Sequence, residues 1–221
     1  MSAGAGAEGR DGADGAGPPL WAAGEAYEPY VGRWSRLVAT EFLTWLGVPA
    51  GLRWLDVGCG TGALAEAILN RHAPAAVVGV DPSAAFLGFA RRRVADPRAR
   101  FEAGDAEALR VSDGAFDAVV SGLVLNFVPD AAKAASEMRR AARRDGTVAA
   151  YVWDYVDGMQ MMRRFWDAAA ALDPAGAGGR NEALPEERRV ALRERLRAAL
   201  AAEADGRLHL SARAWAVRGM A

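Results

Sequence analysis

Residues 54–62 read WLDVGCGTG, an apolar run that meets an acid and then three alternating glycines, and a helix-prone segment, ALAEAILN, follows at once. Glycine has no Cβ, so Gly58, Gly60 and Gly62 can take positive φ and let the backbone lie flat against a ligand at a helix N-terminus. A strand that turns through glycines into a helix is a nucleotide-cradling arrangement, and it points to an α/β fold.

The spacing alone leaves two ligand types open, because Gly58, Gly60 and Ala63 also fit the dinucleotide fingerprint G-x-G-x-x-G/A. Three acids add to the pattern. Asp56 stands two residues before the first glycine, Asp81 closes the next apolar run in VVGVDPS, and Asp105 closes the third in FEAGDAE. A carboxylate can accept both hydroxyls of a ribose, and such charge-assisted bonds are each worth about 1.5–3 kcal/mol. No lysine or arginine follows the glycines, and the G-x-x-x-x-G-K-[ST] pattern is absent, which argues against a triphosphate. Two roles stay open for Asp56: contact with the ligand, or orientation of the turn through backbone amides. For Asp81 and Asp105 the alternative is helix capping.

This ladder resembles the class I S-adenosylmethionine-dependent methyltransferases, over about residues 27–155. The resemblance implies that the turn, with Gly58, Cys59, Gly60 and Gly62, receives the methionyl part of S-adenosyl-L-methionine, with Asp56 beside it. It implies that Asp81, followed by Pro82, takes the ribose hydroxyls, and that Asp105 approaches the exocyclic amine of adenine while the Ala106 amide meets a ring nitrogen. The fold implied is a Rossmann-like three-layer α/β sandwich with a mostly parallel sheet. The alternation along the chain agrees: strands over 77–80, 100–102, 116–120 and 147–153, with helices from about Ser83 and Ala131. Right-handed crossovers place helices on both faces, and ligand binds beyond the strands' carboxyl ends, where the acids lie.

From Arg33 the pattern is helical, with Trp34, Leu37, Val38, Phe42 and Trp45 expected on one face and Arg36, Thr40 and Glu41 mainly opposite. The resemblance implies an N-terminal segment that covers the cofactor, so Tyr27, Tyr30, Arg33 and Trp34 are lid residues; core packing is the alternative for Trp34. It also implies substrate-side residues in SGLVLNFVPD, where Ser121 and Asn126 are the polar choices and bonding to loop backbone is the alternative for Ser121. The Pro-Pro-aromatic signature of the family's amino-directed nucleic-acid enzymes is absent there. Asp154 either contacts substrate or caps the segment after the fifth strand. Neither His72 nor His209 is assigned as a base, and no catalytic residue is named.

A chain of 221 residues suffices for one α/β domain, and a formal charge of −1 gives no electrostatic case for nucleic acid. Cys59 is the only cysteine, which excludes an internal disulfide and fits a reducing compartment; a small residue filling the turn explains it better than a reactive thiol. No metal motif is visible. The arginines at 91–93 and 139–144 read as solvated helix faces. Residues 1–26, mostly Gly, Ala, Asp and Pro, are expected to be a disordered tail, and 27–221 the methyltransferase domain with its N-terminal lid helix. Neither a signal peptide nor a spanning run is apparent, so a cytoplasmic protein without membrane insertion is expected.

Near the C-terminus, residues 173–185 are rich in Gly, Ala and Pro, 186–202 suit a charged helix, and 208–217 form one good strand. The family's plan ends in two antiparallel strands, so the sheet is expected to lack one, leaving an edge bare or covered. The expected activity is methyl transfer to a small molecule of lipid, quinone or secondary-metabolite type. A donor-binding module without turnover and a nicotinamide-dependent (NAD) oxidoreductase are the other readings.

Overall fold

The computed structural model describes residues 33–172, 185–200 and 205–221. The tail expected over 1–26 and the lid residues Tyr27 and Tyr30 lie outside these residues. The described elements are α1 (Arg33–Leu46), β1 (Arg53–Val57), α2 (Ala63–His72), β2 (Ala76–Asp81), α3 (Ala84–Arg93), β3 (Ala99–Ala103), β4 (Phe116–Gly122), a 3-10 turn (Leu125–Phe127), α4 (Ala131–Ala141), β5 (Ala142–Trp153), α5 (Gln160–Leu172), α6 (Glu186–Ala199) and β6 (Ala214–Met220).

The strands form one sheet in the order β3-β2-β1-β4-β5-β6, parallel except where β6 runs antiparallel to β5. Chain direction across the sheet reverses between β1 and β4, and at such a switch point the loops part and leave a crevice. Asp56 stands there, opposite Gly79 of β2 and Val120 of β4.

Alternation along β1 sends Trp54 into a core with Ile68 of α2 and Leu87 of α3, and Leu55 into a second core with Val119 and Met138 of α4. The central strand is therefore buried on both faces, which accounts for its unbroken apolar start and gives the three layers.

The face expected of α1 is corrected. Ser35, Ala39, Phe42, Leu43 and Leu46 turn inward, while Trp34, Leu37 and Trp45 are exposed. The helix packs against α2, and small residues at 35 and 39 let it approach closely. The Phe42 ring rests 4.5 Å from that of Tyr151, and the Arg218 guanidinium stands 5.6 Å over Trp45.

The carboxyl-terminal region also departs from expectation. β6 begins at Ala214, six residues later than read from the sequence, because pairing starts where Ala214 meets Trp153 at the end of β5. Before that point Arg213 is held by Asp154, and Ala212 bridges to Met159. β5 begins at Ala142 instead of Thr147 and accommodates Asp145 at φ +60°. Helix α5, unassigned in the sequence, packs with α6. Among the described residues the sheet ends in a single antiparallel strand whose residues are mostly exposed, in keeping with the short C-terminal pattern.

Candidate functional site

All three glycines of the turn are left-handed: Gly58 at φ +74°, Gly60 at +51° and Gly62 at +87°. The Val80 carbonyl accepts from the Gly58 amide at 2.7 Å and the Cys59 amide at 3.0 Å, and the Gly62 amide donates to the Cys59 carbonyl at 2.9 Å. These bonds tie the β1–α2 turn to the end of β2. A Cβ on Gly58 would stand 2.5 Å from Val124 Cγ1, whereas one on Gly60 would meet nothing within 4 Å. Gly60 is thus where the turn faces open space.

Asp81, the last residue of β2, is buried and engaged on both oxygens. Gly60 N–H donates to Oδ2 at 2.9 Å and Ser83 N–H to Oδ1 at 2.8 Å. Burial raises the Asp81 carboxyl above its ordinary value, and the amides of Ser83 and Gly60 oppose that rise. Each oxygen keeps a second lone pair for a ligand. Ser83 caps α3 through its hydroxyl, which accepts from Phe86 N–H at 3.3 Å; Asp81 is not the cap.

Asp56 is the opposite case. It is 1% exposed, and no hydrogen bond of ordinary geometry reaches either carboxylate oxygen. Burial, and then the neighbouring Asp81 carboxylate, push it up to about 7; the Ala65 amide on the first turn of α2 offsets this in part. Orientation of the turn, one of the roles left open for Asp56, is performed by Asp81. An unpaired buried carboxylate is costly, and a cation entering the turn would relieve it.

Cys59 fills the turn as a small residue should: it is buried, and a Cβ on Gly79 of β2 would stand only 2.9 Å from its Sγ. Burial, and then Asp56 and Asp81, raise its thiol well above the ordinary value, so the reactive thiolate is suppressed. Asp105 lies two residues past β3, exposed, and Oδ1 accepts from Glu107 N–H at 2.9 Å. Ala106 beside it is buried, and Pro82 is exposed between Asp81 and Ser83. The amide of Gly104 donates to the Asp81 carbonyl at 3.3 Å, which joins this segment to the end of β2.

Beyond β4 the chain is tightly placed. A Cβ on Gly122 would meet the Tyr151 hydroxyl at 2.6 Å; Leu123 follows at φ +63°, its amide donating to the Tyr151 carbonyl at 2.7 Å. Val124 then packs on Gly58, and the 3-10 turn presents Asn126 and Phe127 to solvent. Ser121 does not bond loop backbone as read: its hydroxyl is buried without a partner. Asp154 acts as a cap. It accepts from the amides of Val156 (3.2 Å) and Asp157 (3.1 Å) and from Arg213 Nε (2.7 Å), and the Asp157 amide, then Arg213, hold it at about 2.

Trp34 is 46% exposed at the start of α1, which rules out the core-packing reading, and Arg33 opens that helix. His72 lies at the end of α2 with its ring 5.5 Å from that of Trp54, and His209 precedes β6. Several of the arginines read as solvated are bound locally: Arg91 donates to the Phe101 carbonyl, Arg93 to Glu66, Arg140 to Glu137 and Asp113, and Arg143 to Asp117. Among the described residues no group of three or more His, Cys, Asp or Glu could hold a metal, and no helix is long and apolar enough to cross a membrane. Leu123, Val124, Phe127 and Tyr155 were missed by sequence reasoning. The one available signal was a glycine directly after the apolar run of β4.

Residues 55–150 match a family model described as a methyltransferase domain. The chain is 40% identical over 92 residues to trans-aconitate 2-methyltransferase of Variovorax paradoxus, across 42% of this chain and 35% of that protein. It is 41% identical over 101 residues to demethylmenaquinone methyltransferase of Roseiflexus castenholzii, across 46% and 42% respectively. The chain thus spans less than half the length of these curated relatives. The solved YcgJ protein of Bacillus subtilis shares the fold, at a TM-score of 0.55 and 18% identity over 85% of this chain and 98% of that one. The matched segment runs from β1 into β5 and includes the glycine turn at the switch point of the sheet, so this part of the chain is similar to methyltransferase domains.

Proposed function

We propose that the chain binds S-adenosylmethionine at the glycine turn and transfers its methyl group to a small-molecule acceptor. The observation that carries this reading is Asp56, buried and unpartnered, beside the buried Asp81. Two carboxylates beneath one turn favour a ligand that brings positive charge and disfavour the pyrophosphate of a dinucleotide. Unit charges 4 Å apart interact by about 4 kcal/mol at an effective dielectric of about 20. A methionyl ammonium meets that requirement, with Gly58, Cys59, Gly60 and Gly62 giving backbone access. Asp81 then offers its remaining lone pairs to the ribose hydroxyls past Pro82, while Asp105 and the Ala106 amide serve the adenine. Arg33 and Trp34 are the lid residues of this reading within the described chain.

S-adenosylmethionine supplies, when bound, a methyl group made electrophilic by its sulfonium. With the donor held by the glycine turn and Asp81, an acceptor's lone pair would form the new bond to the methyl carbon as the carbon–sulfur bond broke and its electron pair returned to sulfur. Any proton on the acceptor leaves to water. The protein's contribution is alignment, which can lower a barrier by about 7–11 kcal/mol, so a dedicated base is not required. The two relatives' names specify small molecules as acceptors, which supports the same class here.

Calorimetric titration tests the donor site. S-adenosylhomocysteine should bind saturably and NAD should not, and Asp81→Ala should weaken binding by about 10- to 100-fold. Equal affinity in the variant, or preference for NAD, would remove this reading. Transfer of an isotopically labelled methyl group to an acceptor then separates an enzyme from a donor-binding module.

A further inference from the structure

β6 closes the sheet, and among the described residues no strand pairs with its outer side. Edge strands are ordinarily kept from further pairing by a proline, a bulge or a charge. β6 reads AWAVRGM, without proline, and its register against β5 is unbroken. Its single charge does not guard the edge: the Arg218 guanidinium is engaged by the end of α1, donating to the Leu46 carbonyl at 3.0 Å and standing over the Trp45 ring. Trp215 and Val217, beside Val152 and Ala150 of β5 on the opposite face, are 58% and 65% exposed.

The Arg213 carbonyl accepts from Asp154 N–H, and the Ala221 amide donates to the Gly146 carbonyl. Odd-numbered residues of this segment therefore turn their backbone groups to β5, and Ala214, Ala216, Arg218 and Met220 turn theirs outward. A second β6 can meet that row antiparallel only where outward residues face outward residues. A two-fold axis at Val217 achieves this along the whole strand: Ala216 faces Arg218 of the second copy, Ala214 faces Met220, Trp215 faces Gly219 and Val217 faces its own counterpart. Each large side chain then stands opposite a small one. A Cβ on Gly219 would meet nothing within 4 Å, so a Trp215 ring has room to lie over it. Moving the axis to Arg218 sets like charges directly opposite, and moving it to Ala216 leaves Met220 past the end of the facing strand.

We infer that a second copy of this chain occupies the edge, the two β6 strands pairing antiparallel about Val217 into one continuous sheet. Pairing over this length, with Trp215, Val217 and Met220 from both copies, covers on the order of 1,000 Å², at the low end for a specific interface. Association with a Kd of about 1–10 μM is the expected strength. The axis stands across the sheet, so the carboxyl ends of β1 and β2 point opposite ways in the two copies and both glycine turns stay open. Pairing therefore leaves donor binding untouched.

Sedimentation of the full chain between about 1 and about 100 μM should show a monomer passing into a dimer. Ala216→Pro removes an outward N–H and no bond to β5, and Val217→Lys sets like charges on the axis; each should weaken association by about tenfold or more while circular dichroism stays that of the parent chain. Val217→Cys, which keeps the strand's size and charge, decides the register even if Ala216→Pro unfolds. Under diamide it should cross-link two copies, because facing Cβ atoms stand about 4.5–5.5 Å apart and Cys59 is buried. Gly219→Cys should not, since its two copies lie about 14 Å apart along the strands. A monomer at every concentration would overturn the pairing and leave the edge to a different partner. So would a dimer of unaltered affinity in both Ala216→Pro and Val217→Lys, or cross-linking at 219 as fast as at 217.

Discussion

The two sides of the crevice are built on different terms. On the donor side, at the ends of β1 and β2, three left-handed glycines are fixed by the Val80 carbonyl and the Asp81 carboxylate. On the other side, after β4 and β5, the backbone is fixed by packing, with Val124 on Gly58 and Gly122 against Tyr151, and Asn126 and Phe127 are exposed. Polar positioning demands particular residue types at particular spacings, whereas apolar recognition needs only bulk in the right place. The glycine turn can therefore be written as a motif and the packed loops after β4 and β5 cannot.

Substitution at the point where the sides touch should have the largest effect. Gly58→Ala forces a left-handed alanine against Val124, and a loss of about 2–5 kcal/mol is expected in urea unfolding. Gly60→Ala, with open space around it, should lose only about 1–2 kcal/mol. Similar losses at both positions would show that the two sides are not in contact.

Asp56→Asn sharpens the contrast between the two buried acids. Because Asp56 titrates at about 7 in the folded chain against an ordinary 3.8, the native state keeps a proton that the unfolded chain has released. Its contribution to stability is therefore present below pH ~4 and lost as pH rises to about 7. The variant should remove that slope and exceed the wild type at pH 8 by an amount on the order of 4 kcal/mol, with little difference at pH 4. Identical pH profiles in thermal unfolding would contradict the burial of an unpaired carboxylate. Asp81→Asn should behave in the opposite way: an amide NH2 would face either Gly60 N–H or Ser83 N–H, and a loss of about 1–3 kcal/mol is expected across the same range.

The smallest effect belongs to the loop after β4. Phe127 is largely exposed, so Phe127→Ala should change unfolding free energy by less than about 0.5 kcal/mol. A large stability loss would mean that the ring is structural.

The glycine turn, the order of strands and helices as far as β5, and the start of α4 at Ala131 were legible because each rests on local chemistry: φ preference, alternation, capping. The inward face of α1 was not, because Ser35 and Ala39 contribute little to a hydrophobic pattern that Trp34, Leu37 and Trp45 dominate. Nor could sequence say which acid orients the turn. That depends on side-chain direction: Asp81 closes its strand facing two amides, while Asp56 sits inside β1 beneath the turn. The late start of β6 follows from Arg213 reaching Asp154, and the pairing of Phe127 with Tyr155 joins loops 28 residues apart, from 127 to 155. Contacts of that range leave no local trace.

The most direct measurement is a crystal structure of the chain with S-adenosylhomocysteine. The methionyl ammonium should lie within hydrogen-bonding distance of Asp56 and the ribose hydroxyls on Asp81, with the glycine backbone beneath. A ligand seated away from residues 58–62, or one whose ammonium turns from Asp56, would contradict a donor site built on that carboxylate.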